Sequence, residues 1–204
     1  MAKNLMTNRK IAAQKTKEKI YNSALSLFKK RGYSNVTVED ITNNADVAKG
    51  TFYIHFKSKD DVLVRAFEEA DKHYLAAMES ACDISSGDQL IMLGNVMCRY
   101  VSESFGLDFT KILYQSQISL AERPMLLANS ERALYRLLRA IIKKGKESNE
   151  FRRDLSEEEM ELLFAHHMRS LLYDWCMFDG KFDLIEEGSR YFKLVLRTFS
   201  NPDK

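Results

Sequence analysis

Apolar residues recur at intervals of three and four along almost the whole chain, and no stretch alternates over enough positions to make a strand. The spacing predicts a first helix from about Thr16 to Arg31, with Ile20, Ala24, Leu27 and Phe28 on one stripe and Gly32 placed for a left-handed C-terminal cap. A second, short helix starts at Thr37. There a hydroxyl N-cap is followed three residues later by Asp40, the arrangement of a capping box, and Val38, Ile41 and Ala45 face the core. The pattern breaks at Ala45-Asp46-Val47. A third helix covers about Ala48 to His55, and a fourth opens at Ser58 with Asp61 as its capping partner. Further helices are predicted at about 58–82, 88–105, 108–120, 124–147, 157–178 and 183–199.

Helices of one to two turns do not hold themselves together in water. Two of them, joined by about three residues and packed on a longer amphipathic helix, form the pattern of a helix-turn-helix unit. Charge sharpens this reading. The net charge of +2 is unremarkable for 204 residues, but residues 1–65 hold 13 Lys and Arg against 6 Asp and Glu, whereas residues 66–204 hold 18 against 23. A basic segment of +7 joined to a larger one of −5 suggests a polyanion as partner of the first and something else for the second. The expected domains are therefore 1–65, a DNA-binding module, and 66–204, a larger helical bundle.

Composition excludes several classes. With 45% hydrophobic and 29% charged residues and only 2 Pro and 8 Gly, the chain is globular. Cys82, Cys98 and Cys176 are odd in number and widely spaced, which argues against a disulfide framework or a structural zinc site and for reduced thiols in a cytosol. The basic N-terminus is followed by no apolar run, and no uncharged apolar stretch approaches the roughly 18 residues of a membrane span. Cytoplasmic localisation without membrane insertion is expected.

The residues from Thr37 to Leu63, Thr-Val-Glu-Asp-Ile-Thr-Asn-Asn-Ala-Asp-Val-Ala-Lys-Gly-Thr-Phe-Tyr-Ile-His-Phe-Lys-Ser-Lys-Asp-Asp-Val-Leu, together with Ala24, Leu27, Phe28, Gly32 and Tyr33 ahead of them, resemble the DNA-binding module of the tetracycline-repressor (TetR) family of bacterial transcription regulators. The motif resemblance covers about the first 65 residues; for the rest, only length and the all-helical pattern agree. Each position also has a physical reading. Thr37 sets a hydroxyl and free N–H groups at a helix N-terminus, which serves as an N-cap, a phosphate anchor or both. Gly50 lets the recognition helix approach DNA closely, and Thr51 beside it suits a base edge or a thymine methyl. Lys49 suits a phosphate or guanine. Ile54, on an outward face, suits a thymine methyl or is tolerated exposure. Phe52 and Phe56, four apart, are core. The resemblance further implies that Tyr53 and His55 bond phosphate or sugar and that Lys59 pairs with another phosphate.

Three positions depart from the family's usual Ala, Gly and Ser: Thr42, Asp46 and Ala48. Asp tolerates the left-handed region that the turn requires, so Asp46 keeps the turn at modest cost. Ala48 lacks a hydroxyl that would cap the recognition helix or hold a phosphate. The basic residues Lys3, Arg9, Lys10 and Lys15 read as a disordered solubilising tail, with minor-groove contact as the other reading.

The remainder offers no chemistry of catalysis. Ser156 followed by Glu157, Glu158 and Glu159 is an N-cap with acidic residues at the positive end of a helix, and His166-His167 lacks the spacing of a zinc pair. No metal site, cofactor or enzymatic activity is expected. In the helix at 157–178, apolar residues from Leu162 to Phe178 cover more than one face. In the helix at 183–199, Tyr191, Val195 and Phe199 form one stripe and Phe192 and Leu196 another. Each helix must be buried on two sides, one within the subunit and one against a second copy, in agreement with the homodimer that the resemblance implies. Two reading heads about 34 to 36 Å apart would recognise a pseudo-palindromic double-stranded operator. The middle helices are rich in Met, Tyr and Phe (Tyr74, Met92, Met97, Tyr100, Phe105, Phe109, Tyr114), and the resemblance implies a small-molecule effector among them, with Tyr74, Met97, Tyr114, His167 and Trp175 as candidate contacts. The expected architecture is all-α, an N-terminal helix-turn-helix three-helix module followed by a larger ligand-binding and dimerisation bundle. The expected function is a ligand-responsive, sequence-specific transcriptional regulator, most simply a repressor. The alternative is a non-catalytic DNA-organising protein on the same fold that answers to no small molecule.

Overall fold

A computed structural model describes residues 8–81, 83–118 and 126–201. Lys3, Cys82 and the helix ends expected at 119–120 and 124–125 lie outside the described residues. The chain divides into two compact units, Met1–Ala66 and Phe67–Lys204. Among the described residues the architecture is helical, with one isolated β-bridge between Phe151 and Ser200.

In the first unit, α1 (Asn8–Arg31) packs against α2 (Val38–Asn44) and α3 (Lys49–His55). The expected stripe is buried: Ile20, Ala24, Leu27 and Phe28 are all at 5% exposure or less, as are Ile41 and Ala45 of the second helix region. Val38 is only half-buried. α1 ends at Gly32, whose φ of +77° and N–H bond to the Phe28 carbonyl make the left-handed cap read from sequence. Its start differs from the expectation. The helix already runs at Asn8, so Arg9, Lys10 and Lys15 are exposed positions on a helix, not an unstructured tail. The physical reason is composition: residues 9–19 contain no Gly or Pro and many strong helix formers, and Gln14 bonds Glu18 one turn on at 2.6 Å.

The capping box of α2 is complete. The Asp40 N–H donates to the Thr37 hydroxyl at 3.1 Å and the Thr37 N–H donates to the Asp40 carboxylate at 2.8 Å. The Thr37 hydroxyl and the Thr37 N–H, both donating to the Asp40 carboxylate, hold it below its ordinary pKa, with Arg31 adding to the effect. Asp46 takes φ of +47°, the left-handed turn position expected of it. α3 follows with Ala48 as an N-cap that makes no side-chain bond. α4 (Lys59–Met78) crosses from the first unit into the second. At its start, the Asp61 carboxylate accepts the Lys57 backbone N–H at 2.7 Å, one residue ahead of the Ser58 partnership that the spacing suggested.

In the second unit, α4 passes into a 3-10 turn at Glu79–Ala81. α5 (Ser86–Tyr100) packs against α7 (Ala133–Glu147) and α9 (Leu184–Arg197), and α8 (Glu157–Met177) packs against α6 (Gly106–Ile118), α7 and α9. The expected helix at 88–105 starts earlier, capped by Ser85, and after Tyr100 widens into a π-helical turn over Val101–Phe105 before Gly106, at φ +72°. The expected helix at 124–147 starts only at Ala133. Ahead of it, residues 126–132 are held by side chains in place of a helical ladder: Gln117 accepts the Leu126 and Leu127 N–H groups, while Arg132, Tyr135 and Arg139 donate to the Leu126, Leu127 and Ser130 carbonyls. Local hydrophobic spacing carries no trace of such remote bonding, and it overran the boundary.

The core is a cluster of phenylalanines. Phe164 stacks on Phe192 at 5.4 Å, and Phe199 joins Phe164 to Phe151. Gly94 lets α5 press onto α9 so closely that a methyl there would overlap the Phe192 ring. Glu150, after α7, crosses to the start of α5 and accepts the Ser86 and Gly87 N–H groups at 2.8 and 2.7 Å. Its carboxylate thus satisfies two orphan donors at the positive end of a helix. Glu150→Ala is expected to lower unfolding stability by about 1.5–3 kcal/mol, read as a shift of the urea midpoint at unchanged slope. Gly94→Ala is expected to cost about 1–3 kcal/mol through overpacking, measured the same way.

Candidate functional site

On α3 the inward and outward faces separate cleanly. Phe52 and Phe56 are buried, with ring centroids 5.6 Å apart, and fix the helix to its unit. Facing away from them, Ile54 is 78% exposed and Tyr53 51%. Lys49 and Gly50 are exposed, and Thr51 and His55 half-buried. A Cβ added at Gly50 would meet no protein atom within 4 Å. Nothing inside the protein demands glycine there. The structure thus brings Lys49, Gly50, Thr51, Tyr53, Ile54 and His55 together on one short rigid element.

Thr37 and Lys59 stand differently. The Thr37 hydroxyl donates to Asp40 at 2.6 Å while accepting the Asp40 N–H, so it is engaged within the capping box. Lys59 lies 4.3 Å above the Tyr33 ring and donates to the Tyr33 and Val36 carbonyls, both at 2.9 Å. Lys59, expected to pair with a phosphate, is engaged within the protein and clamps the loop between α1 and α2, whose carbonyls have no helical partner of their own.

The second unit encloses a narrow apolar cavity of about 50 Å³. Phe67, Ala70 and Tyr74 of α4, Met97 of α5, Val101 and Phe105 of the π turn, and residues of α6, α7 and α8 line it. A wider, open cleft of about 410 Å³ adjoins it, lined by Tyr114, Gln117, Ile118, Leu127, Ala128, Arg169, Ser170 and Tyr173. Tyr114, Leu127 and Arg169 line both spaces and form the partition between them.

Polar groups in the inner wall are mostly satisfied from within. Arg132 makes a two-pronged pair with Asp71, at 2.5 and 3.2 Å, and stacks 4.6 Å from the Phe67 ring. Tyr114 donates to the Arg169 carbonyl at 2.7 Å, and Tyr135 donates to the Leu127 carbonyl at 2.5 Å. Burial raises the Tyr74 and Tyr114 phenols well above their ordinary range, so both stand neutral at physiological pH. Cys98, buried, is pushed up to about 12 by desolvation.

Of the five candidate ligand contacts, Tyr74, Met97 and Tyr114 line the inner cavity. His167 does not: its ring faces Tyr191 at 5.5 Å, between α8 and α9. Trp175 is buried near the Gly180 turn, also away from the cavity. Both corrections have one cause, since successive residues of an apolar helix point in different directions and the sequence does not say which direction meets the cavity. Asp71, Arg132, Tyr135 and Arg169 were missed. A signal existed for two of them: Asp71 interrupts the stripe Phe67, Ala70, Tyr74, and Arg169 interrupts Ala165, Met168, Leu172. A charge within an apolar stripe marks a polar group facing inward.

Among the described residues, no group of three His, Cys, Asp or Glu is placed to hold a metal, and no helix is long and apolar enough to cross a membrane.

Comparison with known proteins follows the same division. Residues 20–66 match the family described as bacterial regulatory proteins, tetR family, and residues 112–198 match that described as YsiA-like protein, C-terminal region. The fatty acid metabolism regulator protein of Bacillus subtilis is 24% identical over 185 residues, covering 89% of this chain and 94% of the relative. The fatty acid degradation regulator FadR of Bacillus halodurans superposes with a TM-score of 0.74 at 23% identity, over 89% of this chain and 94% of that one. FadR of Bacillus subtilis, solved in complex with stearoyl-CoA, gives 0.73 at 21% identity, over 89% and 98%. An N-terminal helix-turn-helix with the family's motif, continued by a C-terminal region that matches over most of its length, places this chain in the TetR family of bacterial transcription regulators.

Proposed function

We propose that the protein is an effector-controlled repressor that binds a pseudo-palindromic DNA site as a homodimer. In this reading Met1–Ala66 reads the DNA and Phe67–Lys204 binds the effector and pairs the subunits. The observation that carries the DNA reading is the two-sided character of α3, anchored by Phe52 and Phe56 and presenting Tyr53 and Ile54 outward with Lys49, Gly50 and Thr51 at its start. Side by side on the outward face, the Ile54 and Tyr53 side chains suit thymine methyls and backbone sugar. Gly50, free of internal constraint, lets the phosphate backbone come close.

Pairing is assigned to α8 and α9. Beyond the face that packs inside the subunit, α8 leaves Leu162, Leu163, Tyr173 and Met177 exposed, and α9 leaves Leu194 exposed. Large apolar side chains grouped on two adjacent helices fit an isologous contact with a second copy.

The effector reading rests on the apolar cavity and on the acyl-CoA complex of the related regulator. At about 50 Å³ the cavity is several-fold smaller than the roughly 300–1,000 Å³ of a small-molecule pocket. An apolar ligand that enters must therefore push its wall apart. Phe67, Ala70 and Tyr74 of that wall belong to α4, the helix whose first turns belong to the reading unit. A ligand that favours the displaced α4 stabilises a form in which the two heads no longer match the site spacing, and repression is released.

Selection of random duplex DNA by the purified protein is expected to enrich an inverted repeat. Salt-sensitive binding without enrichment would instead favour a DNA-organising protein. Tyr53→Ala is expected to weaken binding to the selected site by about ten- to a hundredfold with an unchanged melting temperature, since the side chain is half exposed. Lys49→Ala should lower the slope of log affinity against log salt by about 1. The double variant Leu162→Glu, Leu194→Glu is expected to elute as a monomer in light-scattering chromatography and to lose high-affinity operator binding.

A further inference from the structure

The apolar stripe of α1 runs along only part of the helix. Ile20, Ala24, Leu27 and Phe28 point inward and are buried within the first unit. Counted back in steps of three and four, the same side of the helix continues through Lys17, Ala13, Lys10 and Arg9. Where apolar residues would extend the core, the chain sets three cations. Residues 9–15 are all exposed, so this part of α1 buries no side chain against the unit.

Lys17 shows which way this bare face looks. Its ammonium lies 5.6 Å from the centre of the Phe56 ring, and Phe56, the C-cap of α3, is itself packed on Phe52. The bare face therefore starts beside the helix that turns Tyr53 and Ile54 outward, and the exposed Lys57 follows directly. Charge along this stretch is one-sided. Residues 8–17 hold Arg9, Lys10, Lys15 and Lys17 and no Asp or Glu, and residues 1–7 contain none either. Glu18, the next acid along the chain, is bonded to Arg65 and Gln14. A helical stretch of like charges that buries nothing is marginal in water, and a row of phosphates would relieve the repulsion. A membrane surface fits less well, because an interfacial helix needs a broad apolar side and Ile11 is the one large apolar residue in 8–17.

We infer that residues 8–17 of α1 form a second DNA-binding element, which lays Arg9, Lys10 and Lys17 on the phosphate backbone beside the half-site read by α3. This rests on the DNA reading above and adds a contact that carries no base sequence, since long flexible cations follow the charge of a backbone while base edges are left to α3. Ala13, between Lys10 and Lys17, keeps the face low enough for a backbone to lie along it. Lys15 and Lys19 fall on the opposite side of the helix, where Lys19 lies 3.7 Å from Asp46. They have the same charge without the same placement.

The test uses the full chain and the operator selected from random duplex DNA, with anisotropy titrations over a range of salt on that site and on a scrambled duplex. Two double variants each remove two positive charges: Arg9→Gln with Lys10→Gln on the bare face, and Lys15→Gln with Lys19→Gln on the opposite side. Gln has a helix propensity close to that of Lys and Arg, so both variants are expected to keep the wild-type circular dichroism and melting temperature. The Arg9, Lys10 variant is expected to lower the slope of log affinity against log salt by about 2 per subunit. It should weaken the selected and scrambled duplexes by the same factor and lose hydroxyl-radical protection of the backbone beside the half-site. The Lys15, Lys19 variant is expected to keep the wild-type slope and footprint. An unchanged slope in the first variant, or equal falls in both, would overturn the inference while leaving α3 as the reader. An unchanged slope together with lost binding to phosphatidylserine vesicles would overturn it in favour of a membrane surface. A wild type that binds no duplex at any salt would overturn the DNA reading and this inference together.

Discussion

A helix of seven residues has too few internal hydrogen bonds to offset the entropy of ordering it, so α2 and α3 exist only because their apolar sides are buried. This constraint organises the whole first unit. Ile41 and Ala45 press α2 onto α1, Phe52 and Phe56 anchor α3, and the Thr37–Asp40 box fixes where α2 begins. The inward positions of α3 are taken by anchoring, which leaves Ile54 and much of Tyr53 facing outward.

The second unit is governed by the opposite problem. Its helices are long enough to persist, and their difficulty is the burial of polar groups among them. Glu150 closes the N-terminus of α5, Arg132 is matched to Asp71, and residues 126–132 hang from side chains of α6 and α7. Arg169 is placed otherwise: among the described residues, its guanidinium donates to the neutral Tyr135 hydroxyl.

α4 links the two problems along the chain. Its first turns carry Lys59, which clamps the loop between α1 and α2, and its later turns carry Phe67, Ala70 and Tyr74 into the cavity wall.

Much of the first unit is legible without coordinates because its determinants are local. The cap at Gly32, the capping box, the left-handed Asp46 and the buried Phe52 and Phe56 each depend on residues within a turn or two, where spacing and backbone sterics decide. For the same reason the outward group from Lys49 to His55 follows from helical periodicity once the inward face is known. Lys59 is the exception, since its partners lie more than twenty residues earlier in the chain. In the second unit the sequence alone determined that helices form and that α8 and α9 carry apolar residues on more than one face. It also carried, unread, the signal of Asp71 and Arg169 as charges set in apolar stripes. Only the tertiary structure decided which side of each helix meets the cavity, admitting Tyr74, Met97 and Tyr114 and excluding His167 and Trp175, and only it paired Arg132 with Asp71 while leaving Arg169 to a phenol. Helical spacing fixes direction around a single axis, whereas a cavity and an ion pair depend on the mutual rotation of several axes, which is set by the sum of all their packing contacts.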